Sequence, residues 1–275
     1  MKCLWGSGRS RMVPLGLDPG DYELVADREA KERLSKLTAL RRLSEQFVSD
    51  VAEPWITSRL TGHSIRVSAR QFPRIYLLVS EIAAILSVSP PAIYIQQGAV
   101  PNAFTHGTGR LSFLAIAHSL VEQLDDDELA FVIGHEVGHI KSEHVVFTTL
   151  AHWLLEDESR QKGFSDEMIL SLLDWMRKSE VSADRAGLIV CQDLQAACRA
   201  LLTMAIGSRK LASEVDIDDY VDSQNLSLEF NPASERMLAY QSHPYTPQRM
   251  RHLIEFRSSE EYGNLFSRAL TLRDG

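Results

Sequence analysis

The pentapeptide His135-Glu136-Val137-Gly138-His139 constrains this chain more than any other feature. In a helix of about 3.6 residues per turn, positions i and i+4 share a face, so two imidazoles can reach one metal ion. The glutamate between them sits where it can take a proton from water activated by that metal, the H-E-x-x-H arrangement of zinc peptidases. Upstream, Asp125 and Glu128 have the spacing of a capping box, and the acids at 125–128 complement the positive end of a helix dipole. Leu129, Val132, Ile133, Val137 and Ile140 then recur at helical spacing. The two histidines therefore belong to the middle of a largely apolar helix.

A catalytic zinc takes a third protein ligand. Downstream, Glu180 and Asp184 stand at i and i+4 in a second helical pattern, from about Met176 to Val190. Two carboxylates this close repel unless a positive group lies opposite. One reading makes Glu180 the third ligand and Asp184 the acceptor that orients a liganding imidazole, that of His135. The other is a solvated acidic face, with Lys178 and Arg185 as ion-pair partners. Spacing alone favours the second.

Taken together, three ordered blocks resemble the family of the heat-shock protease HtpX and the CAAX prenyl endopeptidase. They are His135-Glu136-x-x-His139, Glu180-x-x-Ala183-Asp184, and His243-Pro244 with Arg249 six residues after the histidine. Asn102-Ala103-Phe104 is similar to that family's substrate-binding edge strand. The similarity runs from Arg74 to Leu253.

The resemblance implies one Zn2+ per chain, held by His135, His139 and Glu180, with Glu136 as general base. It implies that Asp184 supports a liganding histidine and that His243 lies near the scissile bond, stabilising an oxyanion or gating the metal. Arg249 would be a structural or substrate-orienting partner of that segment. The implied activity is zinc-dependent endopeptidase action on a peptide or unfolded protein. The alternative is a catalytically latent zinc-binding chaperone or interaction module, against which the intact Glu136 stands.

The expected fold class is α+β, mainly α, a zincin-like metalloprotease domain with a small sheet. Residues 92–96 read as a strand after the Pro90-Pro91 break. Residues 104–106, a Gly107-Thr108-Gly109 turn and residues 111–114 read as a hairpin, whose edge could pair with an extended peptide. Residues 27–50, with Leu34, Leu37, Leu40, Leu43 and Phe47 at helical spacing, read as one helix, and 75–86 and 260–270 as two more. A turn at 160–163 joins the two catalytic helices. The organisation expected is a flexible tail over 1–26, an N-terminal helical segment over 27–72 packing on the core, and a peptidase domain over 73–275.

Composition sets the outer limits. A chain of 275 residues with 44% hydrophobic content can bury a substantial core. A net charge of −8 without a basic run excludes nucleic acid as the expected partner. The acidic stretch 214–219 reads as a solvated loop or helix start. Cys3, Cys191 and Cys198 are not at metal-ligand spacing; Cys191 and Cys198 read as small core residues, which points to a reducing compartment, expected to be the cytoplasm. A transmembrane helix needs about 20 apolar residues, and the run 145–155 is interrupted by His152. The reading is therefore a soluble member without a transmembrane segment, unlike HtpX and the prenyl endopeptidase. The sequence indicates no oligomeric state.

Overall fold

The computed structural model describes residues 14, 17–36, 38–107, 111–156, 161 and 164–271. A 3-10 turn at Pro19–Asp21 leads into α1 (Val25–Lys36), α2 (Thr38–Phe47), a π-helical turn (Val48–Ala52) and α3 (Glu53–His63). Next come β1 (Ser64–Arg66), α4 (Pro73–Ile85), β2 (Ala92–Gln96), β3 (Ala103–Gly107) and β4 (Ser112–Ala117). The remainder is helical: α5 (His118–Gln123), α6 (Asp126–Lys141), α7 (Val145–Leu155), α8 (Asp166–Cys191) and α9 (Leu194–Ile206). Then follow α10 (Arg209–Ala212), α11 (Ile217–Phe230), α12 (Ser234–Ala239), α13 (Thr246–Ser258) and α14 (Glu260–Thr271). This is the mainly α fold with a small sheet that the sequence predicts.

Among the described residues the sheet has four strands in the order β1-β2-β4-β3. β2 and β4 are parallel, while β1 and β3 run antiparallel to their neighbours, so β3 forms one edge. Alternate residues serve opposite faces. Tyr94, Phe113 and Ala115 pack under Ile56 and Leu60 of α3. Ile93, Leu114 and Ile116 join the main core with Ile82 of α4 and Val132 and Ile133 of α6. A further apolar cluster unites Ala30 and Leu34 of α1 with Phe147 and Leu150 of α7 and Trp175 of α8.

The start of α6 is fixed as its acids predict. Asp125 accepts from the backbone of Asp127 and Glu128, while Glu128 accepts from the backbone of Asp125. The carboxylate of Glu128 is wholly buried and faces Arg199 and Arg209, each at 3.0 Å. Further along, α6 crosses α8 at closely opposed small residues. A Cβ on Gly138 would stand 2.6 Å from that of Ala186, and one on Gly187 would stand 2.6 Å from the Phe131 carbonyl oxygen. Removing those methyls lets the two backbones approach and sets the histidine face of α6 against Glu180.

Several expectations change. The helix expected over 27–50 is described as α1 and α2 on either side of residue 37, which lies outside the described residues, and it passes into the π-helical turn at 48–52; α3 then completes the helical segment expected over 27–72. The side chains of Leu37, Leu40 and Leu43 lie outside the described residues, as do residues 1–13 and most of the turns at 107–109 and 160–163. Within the span expected as a flexible tail, Leu17 and Tyr22 are core residues: Tyr22 is fully buried, and its hydroxyl meets that of Ser142 at 2.9 Å. The second catalytic helix begins ten residues earlier than residue 176, at Asp166, under a Ser165 cap. The acidic stretch is a helix start, with Asp216 capping α11. Among the described residues no helix is long and apolar enough to cross a membrane.

Candidate active site

Nε2 of His135 and Nε2 of His139, one turn apart on α6, face each other at 3.2 Å. From α8, Glu180 places Oε2 3.3 Å from Nε2 of His135 and Oε1 3.3 Å from Nε2 of His139. All three side chains are buried. Ligands held tetrahedrally at about 2.0–2.1 Å from zinc stand about 3.3–3.4 Å from one another, so the spacing matches the edges of a zinc coordination shell. Glu180 Oε2 is buried without a hydrogen-bond partner, which a cation at the shared centre would supply. The donor set of two imidazoles and one carboxylate is that of a catalytic zinc with one open position. Residues and geometry fit a single Zn2+ site.

The electrostatics agree. Burial disfavours charge on His135, yet Glu180 and Asp184 outweigh it and raise its pKa to about 10. Burial would also raise the pKa of Glu180, but facing His243 and His135 hold it well below the usual carboxylate range. The pocket favours positive charge at its centre.

Asp184, one turn beyond Glu180, sits 2.9 Å from Nδ1 of His135. Arg249 of α13 grips it with two hydrogen bonds, Nε to Oδ2 at 2.8 Å and Nη2 to Oδ1 at 2.6 Å. Burial opposes the charge of Asp184, and the Arg249 guanidinium overcomes it, holding the carboxyl below its ordinary range. The solvated-face alternative is thereby excluded. Glu180 and Asp184 are buried, while Lys178 pairs with Asp174 and Arg185 with Glu261. His243, half exposed, brings Nε2 to 3.5 Å from Glu180 Oε2, and its Nδ1 lies 2.8 Å from the Ser242 hydroxyl.

Glu136 points to the same cleft and accepts a 2.8 Å hydrogen bond from Thr105 Oγ1 of β3. Asn102, Ala103 and Phe104 line this cleft, whose volume is about 100 Å³. Asn102, Phe104 and His152 also border a neighbouring cavity of about 640 Å³, walled by Trp55, Ile56 and Leu155. The structure thus gathers all the residues singled out in the sequence. It adds Thr105, His144 and His152, which sequence reasoning missed. Thr105 carries no signal of its own, whereas His144, five residues after His139, could have been noticed as a third histidine beside the motif.

The model of Peptidase family M48 matches residues 69–257. The chain is 29% identical over 267 residues to "Plastoglobule-localized metallopeptidase 48, chloroplastic" of Arabidopsis thaliana, covering 92% of this chain and 77% of that one. It is 33% identical over 91 residues to "Protease HtpX homolog" of Pediococcus pentosaceus, a match spanning 33% of this chain and only 30% of that relative. Among solved structures, S. mikatae Ste24p aligns with a TM-score of 0.42 and 18% identity, over 82% of this chain and 57% of that one.

Proposed function

This chain belongs to peptidase family M48, and we propose that it is a zinc endopeptidase cutting extended or unfolded polypeptide. One observation carries the reading: His135, His139 and Glu180 converge on a common point with Glu136 beside it. Nε2 of each histidine and the Glu180 carboxylate would hold the metal. Bound there, zinc supplies Lewis acidity toward water and the scissile carbonyl. Glu136, steadied by Thr105, accepts the proton of the attacking water and returns it to the leaving amine. Asp184 accepts a hydrogen bond from Nδ1–H of His135, which would leave the Nε2 lone pair free to hold the metal, and Arg249 keeps Asp184 ionised. His243, at the mouth, donates toward the oxygen on which charge develops.

The edge position of β3 supports a substrate strand that adds to the sheet through main-chain hydrogen bonds beside Asn102, Ala103 and Phe104. Such pairing tolerates varied side chains. The adjoining cavity would seat one bulky apolar side chain of that strand. Cys191 and Cys198 remain buried thiols, which supports a reducing compartment. The Arabidopsis relative is named chloroplastic, so the cysteines argue for reducing conditions rather than for the cytoplasm in particular.

The test compares casein hydrolysis by zinc-loaded wild type, chelated protein and Glu136→Gln. Hydrolysis by wild type alone is expected. Activity that survives in Glu136→Gln removes the proposed base, and a zinc-loaded, folded but inactive wild type favours the latent binding module.

A further inference from the structure

A second polar cluster lies directly behind the first. His144 follows α6, and its Nδ1 stands 3.1 Å from Nδ1 of His139. Its Nε2 stands 3.1 Å from Asp27 Oδ2 on α1, and Ser182 of α8 donates to that same oxygen at 2.6 Å. The Ser182 hydroxyl accepts in turn from the Leu24 backbone N–H at 3.0 Å. Lys31 ties the first turns of this segment to the end of α6, donating to Glu23 at 3.2 Å and to the Ser142 carbonyl at 2.8 Å. Asp27 and His144 are completely buried. Glu23 Oε1 stands further from His144 Nε2, at 4.0 Å.

We propose that Asp27, acting through His144, positions the metal ligand His139, so that the segment preceding the family-matched residues is part of the metal site. The proposal rests on the reading of His139 as a ligand.

Counting protons leaves one arrangement. With Nε2 of His139 given to the metal, the ring proton sits on Nδ1. That N–H points at Nδ1 of His144, which must accept it. His144 therefore carries its own proton on Nε2, where it faces the Asp27 carboxylate. The chain ends on an anion, the arrangement that fixes a ligand's tautomer and strengthens its lone pair. Asp184 does the same for His135 in one step; Asp27 does it for His139 in two.

Glu23, Asp27 and His144 also have the spacing of a metal site. A cation on His144 Nε2 would move the His144 proton to Nδ1, directly against the proton that His139 must keep. The two uses exclude each other, and the cluster is an orienting group. Asp27 is a positioning residue.

The experiment measures zinc affinity of the full chain by competition with a chromogenic chelator, alongside circular dichroism. Asp27→Asn should keep the fold and weaken zinc about tenfold or more, the scale of outer partners of metal ligands. In a His144→Gln background the same change should add nothing. Unaltered affinity in Asp27→Asn, additive losses in the double variant, or two zinc ions per wild-type chain would each overturn the proposal. Should Asp27→Asn fail to fold, long-range 15N spectra of the zinc-loaded wild type still decide. His144 protonated on Nε2 is expected, and on Nδ1 is disproof. A wild type that binds no zinc, or a Glu180→Gln variant that binds it equally well, defeats instead the underlying assignment of the metal site.

Discussion

Thr105 Oγ1 of the edge strand donates a 2.8 Å hydrogen bond to Glu136 Oε2 on α6, joining the strand proposed to receive substrate to the proposed base. The threonine is buried. Thr105→Val keeps the shape and deletes the donor. A lost hydrogen bond of about 1–1.5 kcal/mol corresponds to about a tenfold fall in kcat. Zinc affinity and KM should hold, because neither depends on where Glu136 points. Steady-state kinetics with a fluorogenic peptide measure this, and an unchanged kcat removes Thr105 from the mechanism.

The crossing of α6 and α8 makes a second prediction. Gly138→Ala forces a methyl to 2.6 Å from the Ala186 Cβ, between two helix backbones with little room to yield. Overpacking of this kind costs about 1–3 kcal/mol. Because the same crossing spaces His135 and His139 against Glu180, zinc affinity should fall with it. Gly62→Ala, in α3, meets nothing within 4 Å and should be neutral or slightly stabilising. Thermal melts with zinc titration compare the two variants. A Gly138→Ala protein as stable and as tight for zinc as wild type would show that the crossing is not what sets the ligand spacing.

What the sequence disclosed follows from how local each signal is. The metal-binding pair on α6 and the capping box at Asp125 are matters of helix period and a three-residue reach, and both appear as written. Glu180 and Asp184 were ambiguous, because i and i+4 carboxylates look alike on a solvated and on a buried face. Only the packing of α8 against α6 and the arrival of Arg249 from α13 decide between them. Asp27 was invisible for the same reason. It reads as one charge in a polar helix, and its role depends on contacts with Ser182 and His144, each more than a hundred residues away in the chain. The π-helical turn at 48–52 also escaped, since apolar residues at helical spacing run up to Phe47 without a turn residue to announce it.

The cavity beside the cleft predicts a preference. Trp55 and Ile56 from α3 and Leu155 from α7 wall a volume of about 640 Å³ that meets the metal cleft at Phe104 and His152. A peptide lying along β3 would bury one large apolar side chain there. Apolar complementarity of this kind discriminates by about 1–3 kcal/mol. Peptides with Phe or Leu at one fixed position from the cleavage point should therefore be cut about tenfold or more faster than those with Asp. Trp55→Ala should reduce that ratio while leaving the slow substrates unaffected. Cleavage-site profiling of a peptide mixture measures both, and a flat profile at every position contradicts the assignment.

His106 of β3 and His152 of α7 face each other across this cavity, ring centres 5.6 Å apart. Burial, aided by His152 and Arg59, pushes His106 down to about 3. Burial, aided by His243, takes His152 down to about 4. Unfolding returns both to about 6.5. Between these limits the unfolded chain binds the extra protons, so stability rises with pH across the window. The contribution of the two neutral rings is complete above about pH 6.5 and is lost as pH falls toward 4 and 3. Each fully shifted ring adds a slope of at most about 1.4 kcal/mol per pH unit, less here because both rings are only half-buried. Urea unfolding at about pH 7 and about pH 5 should show wild type losing stability on acidification and His106→Gln losing less. Equal losses in the two proteins would mean that His106 is not held neutral by its surroundings, and that the cavity wall is wetter than its packing implies.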